Sequence, residues 1–121
     1  KMLNKDILTL FSGLQTIAAN TEMQLPAKVA FAIARNIKVL TPIVEDIETA
    51  RIHIGETYGI LTEQGYNVPS ISQEVANKEL LALANTEVEV PIVKIKISDI
   101  EDLNISVSIA EALVFMIEEE V

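Results

Sequence analysis

The stretch PAKVAFAIARNIKVLTPIVEDIETARIHIGETYG, Pro26 to Gly59, decides how this chain folds. Its apolar positions Ala30, Ile33, Ile37, Leu40, Val44, Ile47, Ile54 and Tyr58 advance by threes and fours, with Arg51 interrupting on the polar side. That spacing lays one stripe along a helix and matches the seam of a coiled coil. Such a stripe has to be buried, against the chain's own helices or against another protein.

Pro26 suits the first position of this helix and Gly59 closes it. Unbroken, about 33 residues would extend ~50 Å at ~1.5 Å per residue. A domain of this size is only about 35 Å across. Pro42 offers a break, because it cannot donate to the carbonyl of Lys38 and its ring crowds that turn. Thr41 could then cap a new helix, but Leu40, Val44 and Ile47 keep the stripe in phase across the proline, which favours one kinked helix.

An earlier helix is predicted from Asn4 to Ala19, with Asn4 as N-cap, Asp6 in the first turn and Leu3, Ile7, Leu10, Leu14 and Ile17 as its apolar face. The two form an antiparallel helical hairpin over residues 4–58. The shorter arm covers the Ala30–Leu40 end of the stripe and leaves the Val44–Tyr58 end in need of other cover. Gly65 and Pro69 mark a loop over 59–69. Ser70 with Gln73 resembles a capping box opening a helix over 70–84, whose face is Val75, Ala76, Leu80 and Leu83.

The period then changes. Val88, Val90 and Ile92 alternate, and beyond Pro91 the phase passes to Val93, Ile95 and Ile97, which predicts a strand over 86–97 bent at the proline. One strand cannot satisfy its own backbone. Its candidate partners are Ile105–Val107, the Tyr66–Val68 loop or another molecule. Ser98 with Glu101 could open a single helical turn, and Ser108 with Glu111 opens an acidic C-terminal helix over 108–120 with Ile109, Leu113, Met116 and Ile117 inward. The expected fold is thus a mainly α single domain spanning 1–121: a long, kinked helical hairpin, two further helices and a short β element.

Composition narrows function. Half of the 121 residues are hydrophobic, which disfavours disorder, and the aromatics are few, so the core is aliphatic. Absence of cysteine removes disulfides, thiolate metal sites and cysteine nucleophiles, and fits a reducing compartment. No window approaches the ~20 apolar residues of a membrane span. The first residues do not read as a secretion leader, and Lys1 reads as an addition before a natural start at Met2.

Residues 1–60 carry six basic and six acidic side chains, whereas 61–121 carry three lysines against twelve acids, which accounts for the net charge of −9. That imbalance repels phosphate and disfavours direct nucleic-acid binding. It reads either as a solubilising surface or as a docking face for a basic partner.

No chemistry assembles. His53 lies off the stripe, and with Glu56 alone it makes a poor metal site. No Ser-His-Asp arrangement is convincing, and Gly13, Gly55, Gly59 and Gly65 form no phosphate-cradling loop. Asp99, Glu101 and Asp102, like Glu118–Glu120, lack the spacing of a calcium loop. No enzyme activity, cofactor or metal is expected. The candidate interaction residues are Val44, Ile47, Arg51, Ile54 and Tyr58 on the helix, Val90 and Ile92 on the strand, and Asp99, Glu101 and Asp102 in the acidic segment.

Several stretches together resemble a known family: LPAKVAFAIARN (25–36), ETAR (48–51), Tyr58–Gly59, LLALANTEVEV (80–90), ISDIEDL (97–103) and the ending that begins MIEEE (116–120). Their order and spacing are similar to small proteins encoded by phages and prophages of Gram-positive bacteria, a family known only as a domain of unknown function. The likeness covers most of the chain after residue 24. It implies a phage-linked protein of the bacterial cytoplasm and supplies neither an activity nor functional residues. The expectation is a non-catalytic protein–protein interaction or assembly module, self-associating or binding another protein. The alternative is an acidic inhibitor seated on a basic surface of a host protein.

Overall fold

The computed structural model describes residues 1–62 and 64–118, with backbone alone at Ile60 and Leu61. In chain order the elements are β1 (Met2–Leu3), α1 (Asn4–Ala19), α2 (Ala27–Tyr58), β2 (Ile60–Thr62), β3 (Gly65–Asn67), α3 (Ser70–Ala84), β4 (Glu87–Val88) and α4 (Val107–Leu113). Turns of 3-10 helix occupy Ile97–Asp99 and Val114–Met116. The protein is mainly helical with minor antiparallel β pairing, as its apolar periods predict.

The hairpin of α1 and α2 forms as read. Ile7, Leu10, Leu14 and Ile17 of α1 are all buried. α2 is one helix with Pro42 inside it, so Thr41 caps nothing. Its hydroxyl instead donates to the carbonyl of Ile37 at 2.7 Å, one turn back and next to the carbonyl that Pro42 cannot serve. At the helix start Pro26 serves as N-cap rather than as the first helical residue: its carbonyl accepts the first turn's bond, from the Ala30 amide at 3.0 Å.

The core face of α2 is rotated from the expected stripe. Val29, Ala32, Ile33, Asn36, Leu40 and Ile47 are buried, whereas Ala30 is exposed and Ile37 only half-buried. The reason is Asn36. Its side-chain amide donates to the Val93 carbonyl at 3.0 Å and its carbonyl accepts the Val93 amide at 2.7 Å. A fully buried asparagine thereby offers one residue of an extended chain the pairing a neighbouring strand would give.

The strand expected over 86–97 is correspondingly short. Among the described residues only Glu87–Val88 pairs in a ladder, antiparallel to Met2–Leu3, and neither Ile105–Val107 nor the Tyr66–Val68 loop supplies its partner. The ladder continues as the Asn4 amide donates to the Thr86 carbonyl at 2.9 Å. Asn4 is not a cap: its side-chain amide donates to the Leu83 carbonyl at the end of α3, also at 2.9 Å. Further along, Ile95 bridges Ile117 in parallel: the Ile95 amide donates to Met116 at 2.8 Å and the Glu118 amide to Ile95 at 2.7 Å. The backbone is thus satisfied in pieces, by β1, by a side chain and by the segment after α4.

Other boundaries move for local reasons. The loop after α2 holds a hairpin, β2 with β3, whose turn requires Gly65 at φ +107°. α3 starts after Pro69 with no side-chain cap, and Gln73 donates to the Val68 carbonyl at 3.2 Å. α4 is capped by Ser106, whose hydroxyl accepts the Ile109 amide at 3.3 Å, two residues before the expected cap. It gives way to a 3-10 turn at Val114, because the chain must straighten at Ile117 to reach Ile95. The expected helix over 108–120 therefore ends early, and residues 119–120 lie outside the described residues.

Inside, α1 lies between α2 and α4. At the α1–α4 crossing Gly13 rests directly on the Cβ of Ala112, with no room for a methyl group. Gly13→Ala is expected to lower stability by roughly 1–3 kcal/mol through overpacking, despite improved helix propensity. Adding Ala112→Gly should recover part of the loss, as read by denaturant unfolding. Asn36→Leu leaves both polar groups of Val93 without their partner and is expected to cost roughly 2–4 kcal/mol. Hydrogen exchange at the Val93 amide should accelerate relative to that of Leu10.

Candidate interaction surface

The C-terminal half of α2 finds cover in its own chain. Leu83, Val88, Val90, Ile92 and Val93 pack on the cluster that holds Leu40 and Ile47. Ile47 retains 7% of its surface, Val44 and Ile54 are half-buried, and so is Tyr58. The cover that this end needs beyond α1 comes in part from α3 and the β2–β3 hairpin, which pack on α2. Val90 and Ile92, expected on a strand edge, are half-buried against the core.

What stays open lies to one side. Arg51, Ile52, Ile54, Gly55, Tyr66 and Leu80 line a cleft of roughly 430 Å3 between α2, the hairpin and α3. Gly55 on α2 lines it, and Tyr66 lies close against both Gly55 and the helix-closing Gly59. A Cβ at Gly55 would stand 3.3 Å from Tyr66, and one at Gly59 3.1 Å. The lining is mostly apolar, with Arg51 and Gln64 as its polar side chains beside the Tyr66 ring, and the Arg51 guanidinium is engaged by Glu48. The hydrogen bond from Arg51 holds the Glu48 carboxyl below its ordinary value and lifts Arg51 in turn.

α3 adds the larger exposed surface. Ile71 is 91% exposed, Leu81 64% and Val75 48%, while Ala76 is its one buried residue. Val75 thus points outward although its period assigned it to the core face. Ile71 and Leu81 were not assigned at all. The signal was there: apolar residues surround α3 on every side, so no single face could bury them.

The acidic segment is partly structural. Asp99 accepts the Lys96 amide at 2.9 Å and meets the Lys28 ammonium at 3.5 Å, tying the 3-10 turn to the start of α2. The Lys96 amide, then the Lys28 charge, hold its carboxyl below the ordinary 3.8. Glu101 and Asp102 are exposed in the following turn, away from the α3 surface in sequence and without an ion pair among the described residues. The candidate residues therefore fall into a covered set, a cleft set and an acidic turn rather than one site.

Among the described residues no group of three or more His, Cys, Asp or Glu side chains is placed to hold a metal ion, and no helix is long and apolar enough to cross a membrane. No protein-family model matches the chain, and no curated protein and no solved structure matches it.

Because folding favours the ionised form of Asp99, its contribution is complete above the unfolded carboxylate value and fades as pH falls through the lower folded one. Asp99→Asn is expected to flatten the acid limb of the stability curve below about pH 4 and to leave its slope near neutrality unchanged. Thermal unfolding across that range checks it.

Proposed function

We propose that this chain is a non-catalytic protein–protein interaction module that assembles with itself or with another protein in the bacterial cytoplasm, in a phage or prophage setting. The exposed apolar surface of α3 carries the reading: Ile71, Val75 and Leu81 face solvent, while Ala76 and Leu80 of the same helix line the cleft with Ile52 and Tyr66. A helix whose outward side is this apolar gains from being covered, at ~25 cal/mol per Å2 of apolar surface. The resemblance to phage-encoded proteins supports the setting. The acidic-inhibitor alternative draws on Glu101 and Asp102, while Asp99 already serves the fold.

Affinity capture from a lysogenic host tests this, with wild type compared against Ile71→Asp/Leu81→Asp. The exposed positions of both residues should leave folding intact by circular dichroism. Capture of a defined partner that withstands high salt and is lost in the double variant is expected. Binding that dissolves steeply with salt and ignores the double variant would transfer the case to the acidic reading. Equal association by both proteins at high salt would sink the α3 surface.

A further inference from the structure

α2 has a second face, opposite the core, and it is self-complementary. Phe31, Lys38, Glu45 and Ile52 recur every seven residues and all are exposed. A seven-residue step drifts by only ~20° per repeat on a straight helix, so the four share one side of α2. Their order is apolar, cation, anion, apolar, symmetric about the Thr41–Pro42 bond. Two of the large apolar residues that the fold leaves exposed stand at its ends, Phe31 at 63% and Ile52 at 46%.

The charges around this face divide the same way. Lys28, Arg35 and Lys38 lie on the N-terminal half, and Glu45, Asp46, Glu48 and Glu56 on the C-terminal half. Lys28 is engaged by Asp99 and Glu48 by Arg51. Among the described residues Lys38 and Glu45 have no ion pair within the chain. A parallel neighbour would oppose like charges along the whole face. An antiparallel one brings each basic half against an acidic half.

We infer that α2 pairs antiparallel with α2 of a second copy, about a two-fold axis near Thr41 and Pro42. This rests on the interaction-module reading and names its partner for this face. Lys38 of each copy meets Glu45 of the other, and Phe31 of each copy meets Ile52 at the mouth of the cleft, beside Tyr66 and Leu80. The two apolar contacts stand ~32 Å apart along the helix, 21 residues at ~1.5 Å each, so satisfying both ends at once fixes the alignment. An isologous contact of this kind is the common form of a homodimer. The ion pairs set direction and register more than affinity, as exposed pairs do, and the apolar ends hold the pair together.

Charge exchange tests the pairing. Lys38→Glu alone and Glu45→Lys alone each create two like-charge contacts in the symmetric dimer, whereas an equimolar mixture of the two variants restores two opposite-charge contacts. Sedimentation equilibrium and native mass spectrometry should show a wild-type dimer. Each single variant should self-associate roughly tenfold more weakly. The mixture should form a mixed dimer near wild-type strength, and Phe31→Asp should be monomeric with an unchanged circular dichroism spectrum. A monomeric wild type, variants that dimerise as well as wild type, or a mixture that recovers nothing would each overturn the inference. A wild type that is monomeric yet still captures a partner through Ile71 and Leu81 overturns the self-pairing and leaves the interaction reading standing. Self-pairing that persists when nothing is captured through α3 has the opposite consequence.

Discussion

Asn36 reads the backbone of Val93 with both ends of its carboxamide, and the segment after α3 is held on the core by that contact. A buried amide placed among Val29, Ala32, Ile33 and Leu40 is costly unless each polar atom finds a partner. Here one extended residue supplies both, so the cost of burying Asn36 is turned into a specification of where residue 93 must lie. With Val93 in place, Val90 and Ile92 cover the middle of α2, and Ile95 arrives where the segment after α4 can pair with it. The rotation of the α2 core face toward Asn36 is the same event seen from the helix.

The rest of the β structure follows from a shortage of partners. Among the described residues no stretch pairs continuously with residues 86–97, and the backbone is satisfied successively by Met2–Leu3, by Asn36 and by Ile117. These contacts join the chain start, the middle of α2 and the chain's last described segment. Each is short, and their effect is to tie α1 and α4 to opposite ends of one irregular span. The close Gly13–Ala112 crossing is the helical counterpart, available because neither residue carries more than a methyl group.

Once α3 and the hairpin have closed over Ile47, the surfaces left to other molecules are those on which the core makes no demand. α3 spends only Ala76 on full burial and leaves Ile71 and Leu81 in solvent. α2 is long enough to hold a core face and an outward face with its own seven-residue pattern. Ile52 on that outward face also lines the cleft between α2, the hairpin and α3.

The sequence by itself determined the elements that depend on strong local periodicity. Ile7, Leu10, Leu14 and Ile17 place α1, the three-four spacing carries α2 across Pro42, and the change of period after Ala84 announces extended chain. Local pattern works there because a helix face or an alternating run is decided by neighbours within a few residues. Tertiary structure alone decided which side of α2 faces inward, what pairs with residues 86–97 and which apolar residues stay in water. Each of those depends on contacts between residues far apart in the chain, such as Asn36 with Val93 or Ile95 with Ile117. The pattern of α3, apolar on all sides, offered no preferred face until packing against α2 selected Ala76 and left Ile71 outside.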